Sequence, residues 1–524
     1  MPPQPAPATS STWSGLWARV KRPELRVWYL MAVMFVLFRV PALLNAGWTN
    51  SDGAVTGLQA LQIMRGELTW LHWGRPYLTS IDSIMLVPFF AVFGASPWVM
   101  MWVTMLGQFT STAFIFATLK KRLGERPAFV AVLPTVLMTM ALNVYLFFHI
   151  RTWCVALVAC AIWLLDGASE SKRWQLRYGL GTAAAILAAF VDLYAIQFIA
   201  PLVLFALLCC ADGKRDLERW AKRGALVLGS AVAAVGLMKV LDQVAGVSTS
   251  RAAWSINSIP HNLHIFWDSC LPALTGAKLF ALNDLGPVEQ PTGALFGVVQ
   301  KAGLGIFLLV TAFGTTLWAW PAMPWEKRRF GVLGTALAVV CFIGFIGSGT
   351  VVDIWAARML WPMLFGFVFS VAPLTHFLSG WKLPAVLSPY LLSLLICGWL
   401  SYGVFVDGLL PATTARGRAD EEIALGKFLR EKGVRYATAD YWIGYRLTFL
   451  FHENPIVVPF DDDRYARYRK EFDAAPSYAY IFHPSEPWRP AAPTEQALQR
   501  AGTPYQKLEY QGFIVLLVNR GPPG

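Results

Sequence analysis

The chain has 524 residues, of which 56% are hydrophobic and only 15% are charged, with a mean hydropathy of +0.47. A water-soluble globular protein of this length would carry about a quarter charged residues, so that class is excluded. The formal net charge is +12. Because Lys and Arg cluster in short loops between apolar segments, as the positive-inside rule requires, we expect no nucleic-acid partner. The seven cysteines show no CxxC or zinc-type spacing, which argues against a disulfide framework.

Apolar segments recur from Val27 to about Val406, and many are long enough to cross a hydrocarbon core of roughly 30 Å. In lipid, only helices or a closed barrel satisfy the backbone, and runs such as 225–237 lack the alternation of barrel strands. We therefore predict a polytopic α-helical membrane protein. Placing the basic loops on the cytoplasmic side gives about eleven transmembrane helices. They cover approximately 27–44, 97–119, 128–147, 152–166, 178–191, 194–211, 224–242, 294–320, 330–349, 359–379 and 385–405.

This topology divides the chain into three parts. Residues 1–26 form a cytoplasmic N-terminal tail, because basic residues precede the first span, and 27–406 form the transmembrane domain. An odd number of spans places 407–524 outside the cytoplasm. There a polar helix is predicted at 416–432, followed by short apolar β-like runs at 456–459, 478–482 and 513–518. About 110 residues suffice for one small α/β domain, and we call 407–524 the tail domain.

Two long segments lie outside the cytoplasm in this topology. The first extracytoplasmic loop covers 45–96 with juxtamembrane helices, and the second covers 243–293. Within the first, the apolar run 82–94 contains Pro88 and is too short to span. If it did span, the basic loop 120–126 would lie outside, against the charge rule. We predict that 82–94 is an interfacial or re-entrant helix.

Asp52 is the first candidate catalytic residue. It follows the first span and precedes an amphipathic stretch, 53–64, so it lies where a lipid-borne donor and a water-borne acceptor would meet. A carboxylate there suits general base catalysis, because partial burial can tune its pKa. The same position also suits a simple N-cap of the following helix.

The first loop carries the residues of a family resemblance. Asp52 is followed by 62–66 (QIMRG), 74–82 (GRPYLTSID) and 88–94 (PFFAVFG). This pattern resembles the first extracytoplasmic loop of the GT-C membrane glycosyltransferases, in particular bacterial relatives of the protein O-mannosyltransferases and of the lipid A aminoarabinose transferase. The resemblance implies that Asp52 is the catalytic aspartate. It also places Asp82 at the family's second acidic position, where a Glu is usual.

A second similarity lies at the outer end of the predicted tenth span. The sequence 357–362 (ARMLWP) resembles a family motif whose Arg lies near the lipid phosphate, although Met359 replaces the usual Tyr. The planar fork of Arg358 suits phosphate oxygens, which it binds bidentately. The alternative is a boundary Arg that snorkels or balances Asp353.

The resemblance also implies a divalent metal. In the aminoarabinose transferase relatives, an acidic residue of the first loop and a His of a later outer loop share one. Asp82 with His264, or with His261, would reproduce that arrangement, whereas a loop His is also commonly only solvated. Asp192 lies either at an outer hairpin tip or on the active cavity. The acidic run 461–463 is interpreted as a solvated turn, because no nucleotide-binding framework surrounds it.

The implied activity is transfer of a sugar from a polyprenyl-phosphate donor to an extracytoplasmic glycan, lipid or protein acceptor, with inversion at the anomeric carbon. Asp52 would act as base, while Arg358, Arg75 and Arg151 hold the phosphate, with Tyr77 and Asp82 completing donor binding. No soluble cofactor is required, and the expected location is the plasma (cytoplasmic) membrane, with the tail domain covering the first loop or contacting the acceptor. A transporter or lipid flippase, or a catalytically inactive GT-C relative, is the alternative.

Overall fold

A computed structural model gives the structure of the chain. It describes residues 25–168, 170–211, 217–245, 254–283, 286–316, 320–402, 414–483 and 488–519. The predicted cytoplasmic tail, apart from its last two residues, and the predicted domain boundary near 407 lie outside the described residues.

The part of the chain before 403 is mainly helical. Within the described ranges, six helices are long and apolar enough to cross a membrane, or seven if a pair bent by 67° is one span. Every predicted span overlaps a helix, but several of these helices are shorter than a bilayer requires, so the number eleven stays a prediction. The six are Pro97–Leu123, Leu193–Cys210, Ala294–Gly314, Trp325–Ile346, Ile354–Leu374 and Lys382–Leu400, and the bent pair is Glu125–Leu137 with Met140–Phe148.

The remaining helices of this part connect or flank these candidate spans. They are Arg26–Leu37, Val40–Leu44, Ser51–Met64, Ile81–Phe93, Thr152–Asp166, Trp174–Val191, Leu217–Ala245, Ile259–Ile265 and Leu271–Thr275, and Ile196–Ala211 forms most of the span that begins at Leu193.

Small residues allow the helices to pack closely. The helix Trp325–Ile346 lies against the helix Trp361–Leu374. A Cβ added to Gly366 would stand 2.7 Å from the carbonyl oxygen of Gly334, closer than a carbon atom tolerates. Small side chains at such crossings are how helices approach each other in lipid, where no hydrophobic effect drives them together.

Residues 45–96, the predicted first extracytoplasmic loop, fold as helix, hairpin and helix. After Ser51–Met64, a short antiparallel hairpin of β1 (Leu71–His72) and β2 (Arg75–Thr79) leads into the helix Ile81–Phe93. That last helix has 13 residues, too few to cross a bilayer, as predicted. Val92 and Phe93 at its far end are 73% and 69% exposed, which fits a helix whose apolar end faces lipid. Its interfacial position stays a prediction.

The predicted second extracytoplasmic segment contains another hairpin, and the tail domain contains one mixed sheet. β3 (Leu279–Asn283) pairs antiparallel with β4 (Gly286–Gln290). The five-stranded tail sheet has the order β6-β5-β7-β9-β8, in which only the β6–β5 and β5–β7 pairs are parallel. Its strands are β5 (Tyr436–Ala439), β6 (Ile456–Pro459), β7 (Ser477–Phe482), β8 (Tyr505–Tyr510) and β9 (Phe513–Asn519), and its helices are Thr414–Glu431, Tyr441–Leu450, Ala466–Asp473 and Ala491–Arg500.

The tail domain packs directly on the first loop. Its helix Tyr441–Leu450 lies against the loop helix Ser51–Met64. Gly57 of the loop helix faces the ring of Phe449, and a Cβ there would lie 2.7 Å from that ring. This packing brings side chains of the tail domain to Asp52.

Candidate active site

Asp52 lies in the first turn of the helix Ser51–Met64 and is only 6% exposed. The cap of this helix is Asn50, whose Oδ1 accepts a hydrogen bond from the backbone N–H of Gly53 at 2.9 Å. The alternative that Asp52 is the N-cap is therefore wrong, because Asn50 caps this helix. The Asp52 carboxylate is left for other contacts.

Two side chains meet the Asp52 carboxylate at the same oxygen. Arg75 Nη2 lies 2.5 Å from Oδ1, and the Tyr441 hydroxyl donates to Oδ1 at 2.6 Å. Burial raises the pKa of Asp52, but the charge of Arg75 and the hydrogen bonds from Tyr441 and Arg75 outweigh it and hold the pKa below its usual value. Asp52 is therefore ionised at neutral pH, and among the described residues both of these interactions are made at Oδ1 rather than at Oδ2.

The hairpin turn places Arg75 next to Asp52. Gly74 adopts a positive φ of 67°, which favours glycine, and a Cβ there would collide with Arg464 of the tail domain. Arg464 donates to the carbonyl oxygen of Gly74 at 2.8 Å. Arg75 Nη1 also donates to the Tyr77 hydroxyl at 3.3 Å, so two of the five predicted donor-binding residues lie on β2 and contact each other.

Several further contacts fasten the tail domain to the first loop. The rings of Trp73 and Tyr465 stack with centroids 3.9 Å apart and an interplanar angle of 6°. Glu453 pairs with Arg65 at 2.5 Å and accepts from the Gln62 amide at 2.6 Å. The expected packing of the tail domain over the first loop is thus observed.

Each aspartate of the acidic run 461–463 in the tail domain forms an ion pair with an arginine. Asp462 pairs with Arg464 at 2.7 Å and Asp463 pairs with Arg469 at 2.7 Å. Asp461, which is 71% exposed, pairs with Arg489. These pairings fit a turn at the surface of the domain, in line with the interpretation from sequence.

A second cluster forms around Arg151. Its Nε lies 2.7 Å from Oδ2 of Asp192, and its Nη1 donates to the Tyr145 hydroxyl at 3.2 Å. Asp82 Oδ2 accepts from the backbone N–H of Arg151 at 3.2 Å, and Arg151 itself has a strained φ of 71°. The guanidinium also lies over the ring of Tyr194, 4.8 Å from its centroid. Arg151 is thereby held in one orientation.

Asp82 supports this cluster from behind. It belongs to the helix Ile81–Phe93, which is not among the candidate spans. Burial raises its pKa to about 7, against the hydrogen bond from the Arg151 backbone, which lowers it. Its Oδ1 is buried without a hydrogen-bond partner among the described residues.

Arg358 approaches the cluster from the opposite side. It lies in the 3₁₀ segment Ile354–Leu360, and its guanidinium stands 4.8 Å from the centroid of the Phe148 ring. Its backbone carbonyl accepts from the Tyr145 hydroxyl at 3.0 Å. Within the described ranges no carboxylate contacts its guanidinium. Asp353 instead caps the segment by accepting from the backbone of Trp355, so the expectation that Asp353 balances Arg358 is wrong.

One cavity of about 1000 Å³ joins these residues. Its polar end is formed by side chains of both clusters, and most of the remaining wall is apolar. Asp52 and Asp82 lie behind the wall, each in contact with an arginine that lines it. The polar residues from the two clusters are Arg75, Tyr77, Arg151, Asp192, Tyr194 and Arg358, and the apolar wall includes Ala185, Ile186, Ala189, Ile199, Leu202, Val203 and Phe345. The lining also contains the polar residues Thr182, Gln197, Lys239, Ser348 and Thr350.

The two interpretations of Asp192 are resolved by this cavity. Asp192 lies at the break between the helix Trp174–Val191 and Leu193–Ala195, fully buried, and it lines the cavity. Its backbone bridges to Leu78 of β2, so the first loop is joined to this break. Asp192 therefore belongs to the site rather than to an exposed hairpin tip.

Asp82 and His264, the predicted metal ligands, interact with different residues. His264 is on the surface, with a side chain 75% exposed, and it pairs at 2.9 Å with Asp268 of the following π-helical segment, Phe266–Cys270. Asp82 is buried against Arg151. No group of three or more His, Cys, Asp or Glu side chains suited to a metal occurs among the residues that the structure describes. A metal held by Asp82 and His264 stays a prediction.

Sequence reasoning did not identify four residues of the site. Tyr145 and Tyr194 contact the guanidinium of Arg151. Tyr441 of the tail domain donates to Asp52, and Arg464 donates to the Tyr441 hydroxyl. The nearest local signal is Asp440 before the aromatic run of 441–445, because Asp at that point marks a helix start. Nothing local indicates which surface that helix would contact.

Comparison with known proteins gives consistent similarities. Residues 83–241 match the family described as dolichyl-phosphate-mannose-protein mannosyltransferase. Among solved structures, the chain is similar to ArnT from Cupriavidus metallidurans bound to undecaprenyl phosphate, with a TM-score of 0.57 and 11% identity over 94% of this chain and 99% of that one. The apo form of the same protein gives a TM-score of 0.52, again at 11% identity, over 93% of this chain and 99% of that one.

A third similar structure is an oligosaccharyltransferase from Archaeoglobus fulgidus in its apo form. It has a TM-score of 0.51 and 12% identity, and the match covers 84% of this chain and 64% of that one. No curated protein sequence matches the chain. At these identities the similarity to solved structures concerns the fold.

Proposed function

We propose that this chain, a multi-pass membrane protein with the fold of the GT-C superfamily of membrane glycosyltransferases, transfers a sugar from a polyprenyl-phosphate donor to an acceptor hydroxyl outside the cytoplasm. The observation that carries the proposal is one cavity whose lining combines three arginines with a mainly apolar wall. A lipid phosphate has the same division between an anionic head and a hydrocarbon tail.

The arginine end suits a phosphate group. Arg75 and Arg151 each have a carboxylate partner, which fixes their orientation, whereas Arg358 has none among the described residues. Arg358 therefore brings a positive charge to the cavity that no contacting carboxylate neutralises. Guanidinium groups bind phosphate oxygens bidentately and stay charged at any physiological pH, so they would stabilise both the bound donor and the departing polyprenyl phosphate.

The apolar wall suits the prenyl chain. It is formed largely by the helices Trp174–Val191 and Ile196–Ala211, with Phe345 from a third helix. Aliphatic side chains on these helices, such as Ile186 and Leu202, would contact isoprene units without leaving polar groups unpaired. The similarity to a structure described as bound to undecaprenyl phosphate supports this assignment.

Asp52 is proposed as the general base. The acceptor oxygen forms a bond to the anomeric carbon, the bond from that carbon to the phosphate oxygen breaks, and the hydroxyl proton passes to Asp52. Polyprenyl phosphate leaves with the electron pair of the broken bond. Because attack and departure occur on opposite faces, the anomeric configuration inverts. The ionised state of Asp52 and the location of its Arg75 and Tyr441 interactions at Oδ1, rather than at Oδ2, support this role.

The remaining donor residues would act through these groups. Asp82 orients Arg151 through its backbone, and Tyr77 braces Arg75. The tail domain covers Asp52, so an acceptor would enter between the first loop and that domain. We propose the plasma membrane as location, with this face outside the cytoplasm. Lipid, glycan and protein acceptors all supply the hydroxyl that the reaction needs.

The test is donor turnover by the purified protein. Wild type is incubated in lipid nanodiscs with a panel of polyprenyl-phosphate sugars and a hydroxyl acceptor, and released polyprenyl phosphate is measured by mass spectrometry. Release that requires the acceptor supports the proposal. Movement of the intact donor across the bilayer without release would favour a flippase. Binding of polyprenyl phosphate without turnover of any donor would favour an inactive relative.

A further inference from the structure

We infer that Tyr441 of the tail domain is a positioning residue of this active site, which holds the Asp52 carboxylate so that Oδ2 takes the acceptor proton. The tail domain would then complete the catalytic centre in addition to covering it. This inference rests on the proposed function, because Tyr441 acts through the proposed base.

The direction of the hydrogen bond is fixed by the neighbours of the Tyr441 hydroxyl. Arg464 Nε donates to that hydroxyl at 3.2 Å. A guanidinium has no acceptor atom, so the hydroxyl oxygen accepts from Arg464 and must give its own proton elsewhere. The partner is Oδ1 of Asp52, at 2.6 Å. The chain from Arg464 through Tyr441 to Asp52 therefore has one polarity, and it favours a negative Asp52.

The tail domain holds Tyr441 rigidly. Tyr441 begins the helix Tyr441–Leu450, and Asp440 caps that helix by accepting from the backbone of Trp442 at 3.0 Å. Arg464 is anchored by Asp462 at 2.7 Å and by the carbonyl oxygen of Gly74 at 2.8 Å. Since these anchors come from both the tail domain and the first loop, the position of Tyr441 depends on their docked arrangement.

Arg75 alone would not hold the Asp52 carboxylate in place, because Arg75 is also proposed to bind the donor phosphate. It is the other group on Oδ1, and it also lines the cavity where the donor phosphate is proposed to bind. An anionic phosphate would draw the guanidinium toward itself and weaken its contact with Asp52. Tyr441 is not part of the described cavity lining, so its contact persists when the donor is bound. The base would then keep its orientation through Tyr441.

Removing the Tyr441 hydroxyl should change the pH dependence. Burial alone raises the pKa of Asp52, and Arg75, Tyr441 and Arg464 counter it. The charged and titratable groups that face Asp52 are Arg75 and His72 of the hairpin, Tyr441 and Arg464 of the tail domain, and Arg358 across the cavity. Loss of one of the donors that favour the ionised carboxylate must move the pKa of Asp52 upward.

The experiment compares Tyr441→Phe with Tyr445→Phe. Tyr445 lies one turn along the same helix, and its hydroxyl accepts from the backbone of Arg464 at 2.6 Å without touching Asp52, so it is a matched loss of one buried hydroxyl. We expect the acid limb of kcat/KM for polyprenyl phosphate release to move up by about one pH unit in Tyr441→Phe, from a charge-assisted hydrogen bond of ordinary strength, and not in Tyr445→Phe. An unmoved acid limb in Tyr441→Phe, or an equal loss of rate at every pH, would overturn the inference.

A double variant gives a second, independent test. If Tyr441 acts through Asp52, adding Tyr441→Phe to Asp52→Asn should leave the residual rate unchanged within about twofold. Multiplied losses in the double variant would contradict the inference. A wild-type protein that turns over no donor would instead refute the proposed function. An active wild-type protein whose double variant loses rate by the product of the two single losses would refute only the role of Tyr441.

Discussion

Arg358 should contribute to binding the lipid phosphate without contributing to the stability of the fold. Its guanidinium lines the cavity and has no contacting carboxylate among the described residues. The substitution Arg358→Gln removes the guanidinium group and its charge but keeps a polar side chain. A charge-assisted hydrogen bond is worth about 1.5–3 kcal/mol, so we expect polyprenyl phosphate to bind roughly 10- to 150-fold more weakly.

The folded protein should respond differently. Removing a charge that has no carboxylate partner leaves no opposite charge stranded in the interior, so the melting temperature of Arg358→Gln should not fall. Binding is measured with radiolabelled polyprenyl phosphate in nanodiscs, and unfolding by the intrinsic fluorescence of the tryptophans. Arg328→Gln is the matched control, because Arg328 donates to the carbonyl oxygen of Met323 at 2.8 Å and is not part of the described cavity lining. Unchanged affinity in Arg358→Gln would refute the phosphate assignment.

Three further outcomes are expected. Asp192→Asn leaves Arg151 without its buried partner and should destabilise the protein by about 3–5 kcal/mol, measured by denaturant or thermal unfolding; wild-type stability would contradict this pairing. Asp82 has a folded pKa of about 7 against 3.8, so the folded state keeps a proton that the unfolded state loses, and stability should fall as the pH rises from about 4 to 7. Asp82→Asn should flatten that slope, and an unchanged slope would contradict the assignment. Trp73→Ala removes the stack on Tyr465 and should speed hydrogen exchange in the loop helix, whereas unchanged exchange would show that the stack does not fasten the tail domain.

The membrane part of the fold was largely accessible from sequence, because lipid forces apolar runs into helices. Each predicted span overlaps a helix, and the prediction that 82–94 is too short to span agrees with a helix of 13 residues. The number of spans did not follow, since helices such as Thr152–Asp166 are too short to be assigned by length alone.

Local errors in the site have local causes. Asp52 and Asn50 both suit a helix start, and only the geometry shows that Asn50 accepts the capping hydrogen bond. In the tail domain, the strands β5 and β8 were missed. β5 has only four residues, and β8 at the edge of the sheet alternates exposed polar side chains with half-buried ones, so neither forms a continuous apolar run.

The contacts that complete the site are long-range. Tyr441 and Asp52 are separated by 389 positions, and Arg151 and Asp192 by 41. Hydrophobic periodicity specifies which face of a helix is buried, but it does not specify which distant element covers that face. The tail domain was expected to cover the first loop, yet no pattern within 437–447 indicated that a hydroxyl from it would reach the candidate base.

The most direct test of the central claim is a single-turnover comparison of wild type and Asp52→Asn, with donor binding measured on the same samples. General base catalysis contributes typically 10²–10⁴-fold, so Asp52→Asn at saturating donor should release polyprenyl phosphate at least about 100-fold more slowly than wild type while it still binds the donor. Asp268→Asn, at an exposed carboxylate paired with His264, should release it at the wild-type rate. An Asp52→Asn protein that turns over donor at the wild-type rate would contradict the account.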